Sequence, residues 1–171
     1  MKPIRTLAPQ AYSVYEKATT GLQSPLLLAV RLYWGWQFFQ TGFGKLRNID
    51  KVVDFFTNLG IPFPSFNAHM VGTLEFVGGM LLFIGLGSRI IALPLTFNML
   101  VAYITADHEA LLSFFSDPGK FYGADPFTFL FASLLILIFG PGKISLDFAL
   151  SRLLQKRRAT LAAGTSPAPA A

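Results

Sequence analysis

The sequence predicts an all-α membrane protein: a four-helix transmembrane bundle with short interfacial amphipathic helices in the first outer loop and in the C-terminal tail. Hydrophobic residues make up 53% of the 171 residues and charged residues only 13%, against roughly 25% charged residues in soluble domains. The chain also contains 18 phenylalanines. Several of its apolar runs approach the length of about 20 residues that crosses a bilayer core as a helix.

The charge and cysteine content exclude several classes of function. The chain has no cysteine, so it supplies no disulfide, no thiolate metal site and no thiol redox chemistry of its own. Its net charge of +5 comes from basic residues near the N-terminus and in the C-terminal tail, beside the apolar runs. Orientation in a membrane explains this placement better than a nucleic-acid groove does, so we expect the lipid bilayer, and no nucleic acid, as a partner.

The central apolar run, residues 67–87, carries one ionisable residue, Glu75, near its middle. Gly72, Gly78 and Gly79 share a helical face with Glu75, and small residues let a second helix approach closely in lipid. A carboxylate at this depth is costly in lipid and should point into the bundle. Glu75 is therefore either a functional site or a structural hydrogen-bond anchor.

The first span is predicted at residues 25–43, with Pro25 at the start of its helix. Residues 1–24 are polar, and no apolar run with a small-residue cleavage site opens the chain, so we expect a cytoplasmic segment and no cleaved signal peptide. Tyr33, Trp34 and Trp36 lie near mid-span and are expected to pack inside the bundle. One stripe of the helix carries Arg31, Gly35, Phe38, Gly42 and Lys45.

Residues 46–66 link the first two spans. They contain an amphipathic segment that is too polar to cross the membrane and is predicted to lie at the interface. The third span is predicted at residues 90–106, with a kink at Pro94. Asn98 in this span is expected to form a helix–helix hydrogen bond.

The fourth span is predicted at residues 126–140, with Asp125 as its N-cap and Pro126 at the first helical position. These four spans make a membrane domain of residues 25–150. The basic tail of residues 151–171 continues an interfacial helix and ends in a segment expected to be disordered, TSPAPAA.

The distribution of lysine and arginine predicts the orientation. Nine of these residues lie on the side that holds both termini, four lie on the other side, and Arg31 lies within a span. The positive-inside rule then places both termini of a multi-pass inner-membrane protein in the cytoplasm.

Polar residues that could carry chemistry collect at two depths. Those near the outer surface are Lys45, His69, Asp107, His108 and Asp125, and those deeper in the bundle are Arg31, Gln37 and Glu75. An Arg31–Glu75 ion pair would need a long reach, because Arg31 lies about 9 Å and Glu75 about 15 Å from the inner ends of their helices. Gln37 is closer to Glu75 in depth, and Arg31 is expected to extend inward to lipid phosphates.

Cofactor chemistry is limited by the same residues. His69 and His108 would suit the two faces of a haem iron, but histidines at span ends are more typically solvated, so we do not expect haem. A quinone headgroup, hydrogen-bonded by His, Lys or Asp, is chemically easier to accommodate. Together with Asp107, the two histidines are too few and too far apart in sequence to predict a metal site, and no phosphate-binding loop is present.

Three ordered pieces of this sequence resemble the DoxX family of small bacterial inner-membrane proteins. They are the stripe from Arg31 to Lys45, the run from Gly72 through Glu75 to Arg89, and the closing segment GPGKISLD at residues 140–147. The resemblance covers about residues 25–150. Asp125 departs from it, since a glutamate is expected before the fourth span.

The resemblance implies membrane subunits tied to redox work. Some members of the family resemble the small subunit of a thiosulfate:quinone oxidoreductase, and others resemble membrane partners of superoxide-detoxifying and sulfur-transfer enzymes. Our leading hypothesis is an accessory subunit of such a complex, not catalytic alone, with a quinone site formed from Glu75, Lys45, His69 and His108. The alternatives are a small-molecule or ion carrier that uses Glu75, and a scaffold that recruits partners through its basic tail.

Overall fold

The computed structural model describes residues 7–164, and within this range it contains eight helices and no strand. The helices are α1 (Leu7–Arg47), α2 (Ile49–Asn58), α3 (Pro64–Ile84), α4 (Ser88–Thr105), α5 (His108–Leu112), α6 (Pro118–Gly123), α7 (Asp125–Phe139) and α8 (Leu146–Gly164). The predicted all-α class is therefore confirmed. The predicted disorder of residues 165–171 lies outside the described residues.

Helices α1, α3, α4 and α7 pack in a ring, with α1 against α3, α3 against α4, α4 against α7, and α7 against α1. Within the described range, α3 and α4 are long and apolar enough to cross a membrane, by length and composition alone. Helix α7 is apolar but shorter, with 15 residues. Membrane crossing by α1 and α7 stays a prediction.

Helix α1 is a single helix of 41 residues, and Pro25 lies inside it. The prediction that Pro25 begins the helix is therefore wrong. Proline removes one N–H donor but keeps a helical φ, and the hydrogen bonds on either side maintain the helix. The location of residues 1–24 in the cytoplasm stays a prediction.

Glycines bring the backbones of α1 and α3 into direct contact, as predicted from their spacing. A Cβ atom placed on Gly42 would lie 2.2 Å from the backbone nitrogen of Phe76, and one on Gly79 would lie 2.3 Å from that of Phe39. Gly78 faces α4 instead, where a Cβ would lie 3.1 Å from the side chain of Ile91. The glycine face of α3 therefore packs against two neighbouring helices, α1 and α4.

The core of the ring is mostly apolar. Phe38 is fully buried and packs edge-on against Phe129 of α7, with ring centroids 4.7 Å apart. Tyr33 and Trp36, expected inside the bundle, are instead 58% and 48% exposed. They lie on the side of α1 away from the glycine stripe, which is why the core does not cover them.

The connecting segments follow their local sequence. The α3–α4 turn has Gly85 and Gly87 at φ angles of 75° and 60°, a region that favours glycine. Helix α2 forms within the predicted amphipathic segment. The predicted capping role of Asp125 is wrong, because Ala124 is the N-cap of α7 and no side chain caps that end.

Candidate functional site

Three helices converge on Glu75, whose side chain is 1% exposed. Lys45 of α1 donates hydrogen bonds to both carboxylate oxygens, with a distance of 2.6 Å from Nζ to Oε1. Asn98 of α4 donates a third from Nδ2 to Oε1, at 3.0 Å. The predicted helix–helix hydrogen bond of Asn98 is thus present, and Glu75 is its acceptor.

The glycine contacts explain why Lys45 can reach Glu75. Gly42 precedes Lys45 by one helical turn, and its contact with Phe76 brings α1 against the segment of α3 that carries the carboxylate. Gly72 leaves space for the α1 side chains, since a Cβ there would lie 2.9 Å from the side chain of Leu46. A larger residue at these positions would separate the ammonium from the carboxylate.

The separation of Lys45 and Glu75 into two depths, expected from the sequence, is wrong. Helix side chains lean toward the N-terminus of their helix, and for Lys45 this direction leads toward the depth of Glu75. The four-carbon stem of lysine covers the remaining distance. The direction of helix side chains is therefore the signal in the sequence that indicates the pair.

The pair has a buried acid and a partly accessible base. The side chain of Lys45 is 33% exposed, whereas that of Glu75 is 1% exposed. A buried carboxylate is tolerated when it is paired and hydrogen-bonded, and here one cation and one amide do this. The arrangement leaves the ammonium as the group that an approaching molecule would meet.

Arg31 lies in a different network from Glu75. Its side chain is 1% exposed, and Nη2 donates to the carbonyl oxygen of Ile144 at 2.6 Å. Among the residues that the structure describes, its Nε and Nη1 atoms have no hydrogen-bond partner. The expected reach toward lipid phosphates is therefore wrong, because the guanidinium is covered by the segment that follows α7.

Asp147, which the sequence analysis did not single out as a site residue, connects the same segment to the α3–α4 turn. Its carboxylate accepts hydrogen bonds from the backbone nitrogens of Gly87, at 2.7 Å, and Ser88, at 2.9 Å. Its own backbone nitrogen donates to Gly85 at 2.9 Å. A carboxylate at the N-terminus of α4 satisfies free N–H groups and opposes the positive end of the helix dipole. The closing segment GPGKISLD contains this residue and was the available signal.

The remaining predicted residues do not join the Glu75 site. Gln37 is half-buried and has no hydrogen bond to Glu75. His69 is exposed, and its Nδ1 lies 2.8 Å from the carbonyl oxygen of Ser65 in its own helix. Asp107 is half-buried and lies between α4 and α5, whereas His108 and Asp125 are exposed and begin α5 and α7. Within residues 7–164, no three His, Asp or Glu side chains cluster in a way that could hold a metal ion.

Comparison with known proteins identifies the family of this chain. The DoxX family model matches residues 26–108. The chain is 31% identical over 140 residues to the uncharacterized membrane protein Rv3486 of Mycobacterium tuberculosis (strain ATCC 25618 / H37Rv), which covers 75% of this chain and 83% of that protein. This chain belongs to the DoxX family. This membership supports localisation of the chain in a membrane.

A second relative of this DoxX protein carries a functional name. The chain is 32% identical over 83 residues to the putative oxidoreductase CatD of Bacillus subtilis (strain 168), covering 48% of this chain and 60% of that protein. No solved structure gives a significant match. Lys45, Glu75 and Asn98 all lie in the range that the family model matches, whereas Asp147 lies beyond it.

Proposed function

We propose that this DoxX protein is a four-span protein of the bacterial inner membrane and an accessory subunit of a quinone-linked redox complex. The observation that carries the proposal is the Lys45–Glu75–Asn98 site, in which a partly exposed ammonium is hydrogen-bonded to a buried carboxylate. Packing of α1 and α7 against the two long apolar helices supports four spans. The excess of basic residues beside the termini supports a cytoplasmic location for both.

The site has the groups that a quinone headgroup requires. A quinone carbonyl accepts hydrogen bonds, and the ammonium of Lys45 donates them. Conversion of a quinone to a quinol takes up two electrons and two protons. Lys45 can deliver a proton to a carbonyl oxygen and be reprotonated from water, because its side chain is partly exposed, and a second such cycle supplies the second proton. The Glu75 carboxylate stabilises the ammonium form throughout. The electrons are assigned to a partner enzyme, which is what makes this chain an accessory subunit.

A carrier function is the second candidate. A carboxylate buried in a span marks ion and proton pathways in many membrane proteins, and Glu75 has this position. In that case the pair would open to bind a cation or a proton-linked solute. A scaffold function through the basic tail is the third, supported by exposure of residues 151–160 of α8.

Quinone binding is tested with the full chain in an uncharged detergent. Lipids extracted from the purified protein are assayed for quinone, and a ubiquinone analogue with a ten-carbon tail is titrated while the fluorescence of Trp34 and Trp36 is followed. We expect saturable quenching, with the apparent Kd raised at least tenfold in Lys45→Met and in Glu75→Gln. Lys51→Met, which changes an exposed lysine of α2, is the matched control and should bind like the parent.

Other outcomes separate the candidates. Absence of both copurified quinone and saturable quenching would overturn the quinone role. Proton-coupled uptake by reconstituted vesicles, lost in Glu75→Gln, would then identify a carrier. Loss of complex assembly on deletion of residues 151–171, with Glu75→Gln assembling normally, would identify a scaffold.

A further inference from the structure

A cleft of about 360 Å³ lies where α1, the α7–α8 connection and α8 meet. We call it the basal cleft, and its residues include Ser24, Leu27, Gly142, Lys143, Phe148 and Ser151. It is remote from the Glu75 site, since the 21 residues that separate Ser24 from Lys45 on α1 span roughly 30 Å. The basal cleft is therefore separate from the Glu75 site.

The walls of the basal cleft differ in polarity from one side to the other. Phe139 and Phe148 supply apolar surface, and Ser24 and Lys143 supply polar groups. The backbone nitrogen of Lys143 donates to Ser24 Oγ at 3.3 Å, which ties the α7–α8 connection to α1. An amphipathic molecule, with one apolar part and one polar part, matches these walls.

Positive charge surrounds the basal cleft and is not neutralised by ion pairs. Lys143 lies in its wall, and the guanidinium of Arg152 stacks over the ring of Phe148, 4.6 Å from the centroid. Among the residues that the structure describes, neither cation has a salt-bridge partner. Both side chains are exposed, so their ammonium and guanidinium groups can reach a ligand at the cleft.

The one carboxylate in the wall of the cleft is Asp147. Its oxygens accept hydrogen bonds from the backbone of Gly87 and Ser88, at the positive end of α4. Arg89 is exposed and adds a further cation nearby, through its bond to the carbonyl oxygen of Ile138, whereas Arg31 is buried. The charge that this end of the bundle presents to a ligand is therefore positive.

We propose that the basal cleft binds the headgroup of an anionic phospholipid. Lys143 and Arg152 contact the phosphate, and the glycerol and the first methylenes of an acyl chain lie against Phe139 and Phe148. Basic pockets between membrane helices bind such headgroups on the cytoplasmic side. The proposal does not depend on the quinone role, because the two sites share no residue, but it rests on the proposed membrane orientation with both termini in the cytoplasm.

The test uses the full chain in an uncharged detergent, with phosphatidylglycerol and phosphatidylcholine as probes of equal acyl composition. Native mass spectrometry counts bound lipid and gives an apparent Kd for each probe. We expect preference for phosphatidylglycerol. Because each cation near an anionic headgroup contributes about a factor of five in affinity, Lys143→Gln combined with Arg152→Gln should weaken this binding by about 25-fold and leave phosphatidylcholine unchanged.

Two further variants separate the cleft from diffuse surface charge. Ser151→Phe fills the mouth of the cleft without changing the charge and should also lower phosphatidylglycerol binding. Lys51→Gln removes a lysine from α2 and should have no effect. Equal binding of both probes by the parent, or full binding by the double variant or by Ser151→Phe, would overturn the proposal.

The source of the phosphate is tested by competition. Glycerol 3-phosphate carries the same phosphate without acyl chains, and we expect it to compete only at concentrations far above the Kd of phosphatidylglycerol. Competition at comparable concentration would mean that the cleft binds a soluble phosphate, and the lipid assignment would fail. The lipid assignment would also fail if the cleft retained an acidic protein and showed no preference between the two lipids.

Discussion

Substitution of Gly42 or Gly79 by alanine should separate α1 from α3. The added Cβ would lie 2.2 Å from a backbone nitrogen at Gly42 and 2.3 Å at Gly79. The lower limit of ordinary contact is 3.4 Å. Because the opposing atoms are backbone atoms, no side-chain rotation relieves the overlap, and the helices must move apart by about 1 Å.

The magnitude follows from two opposing effects. Overpacking of a close-packed contact costs about 1–3 kcal/mol, and a helical alanine gains roughly 0.5–1 kcal/mol over glycine. Separation also lengthens the Lys45–Glu75 bond, which is 2.6 Å to Oε1. We therefore expect a net loss of about 1–2 kcal/mol for each substitution.

Gly44 is the matched control for this experiment. It lies in the same helix, two residues from Gly42, and a Cβ on it would meet nothing within 4 Å. Reversible unfolding in mixed micelles of a mild detergent and sodium dodecyl sulfate gives the free energy of unfolding. Gly44→Ala should keep or raise it. Equal effects of Gly42→Ala and Gly44→Ala would refute the direct backbone contact.

Three other predictions follow from the hydrogen bonds and charges of the described residues. Lys45→Met should lower the free energy of unfolding by about 2 kcal/mol. This loss is smaller than the roughly 3–5 kcal/mol lost when a fully buried pair is broken, because Lys45 is one-third exposed. The Lys45→Met/Glu75→Leu double variant should recover part of the loss. Asp147→Asn should cost about 1 kcal/mol by weakening the cap of α4, and Asp54→Asn on exposed α2 should not change the same unfolding curve. The hydrogen bond from Lys120, at 2.9 Å, holds the pKa of Glu109 below its ordinary 4.5. The small stabilisation from this exposed pair is therefore present above pH 4.5 and is lost as the pH falls through the lowered pKa. An NMR titration of the Glu109 carboxyl should show this, and Lys120→Gln should return its pKa toward 4.5; an unchanged titration would contradict the pairing.

The close contact of α1 and α3 could be predicted from the sequence because it depends on periodicity. The glycines at positions 35, 42, 72 and 79 repeat at helical spacing, and contact between small faces is a local property. The depth of Glu75 followed in the same way from its place in an apolar run. These inferences needed no knowledge of the loops.

The partners of the charged residues could not be predicted in this way. Lys45 reaches Glu75 because its stem leans along α1, and Arg31 bonds to Ile144 because the segment after α7 folds back over it. The first depends on side-chain direction and the second on a contact between residues 113 positions apart. Glu75 and Lys45 were both predicted as site residues, but their direct contact was not, because Lys45 was assigned to the outer depth.

The length of α1 has a mechanical consequence. A helix of 41 residues measures about 60 Å, roughly twice the hydrocarbon thickness of a bilayer. The half of α1 before Pro25 therefore forms an arm that is continuous in helical structure with the half that carries Lys45. A small tilt of the bundle would sweep the end of this arm through several ångströms, and a force applied to the arm would be transmitted to the ammonium beside Glu75.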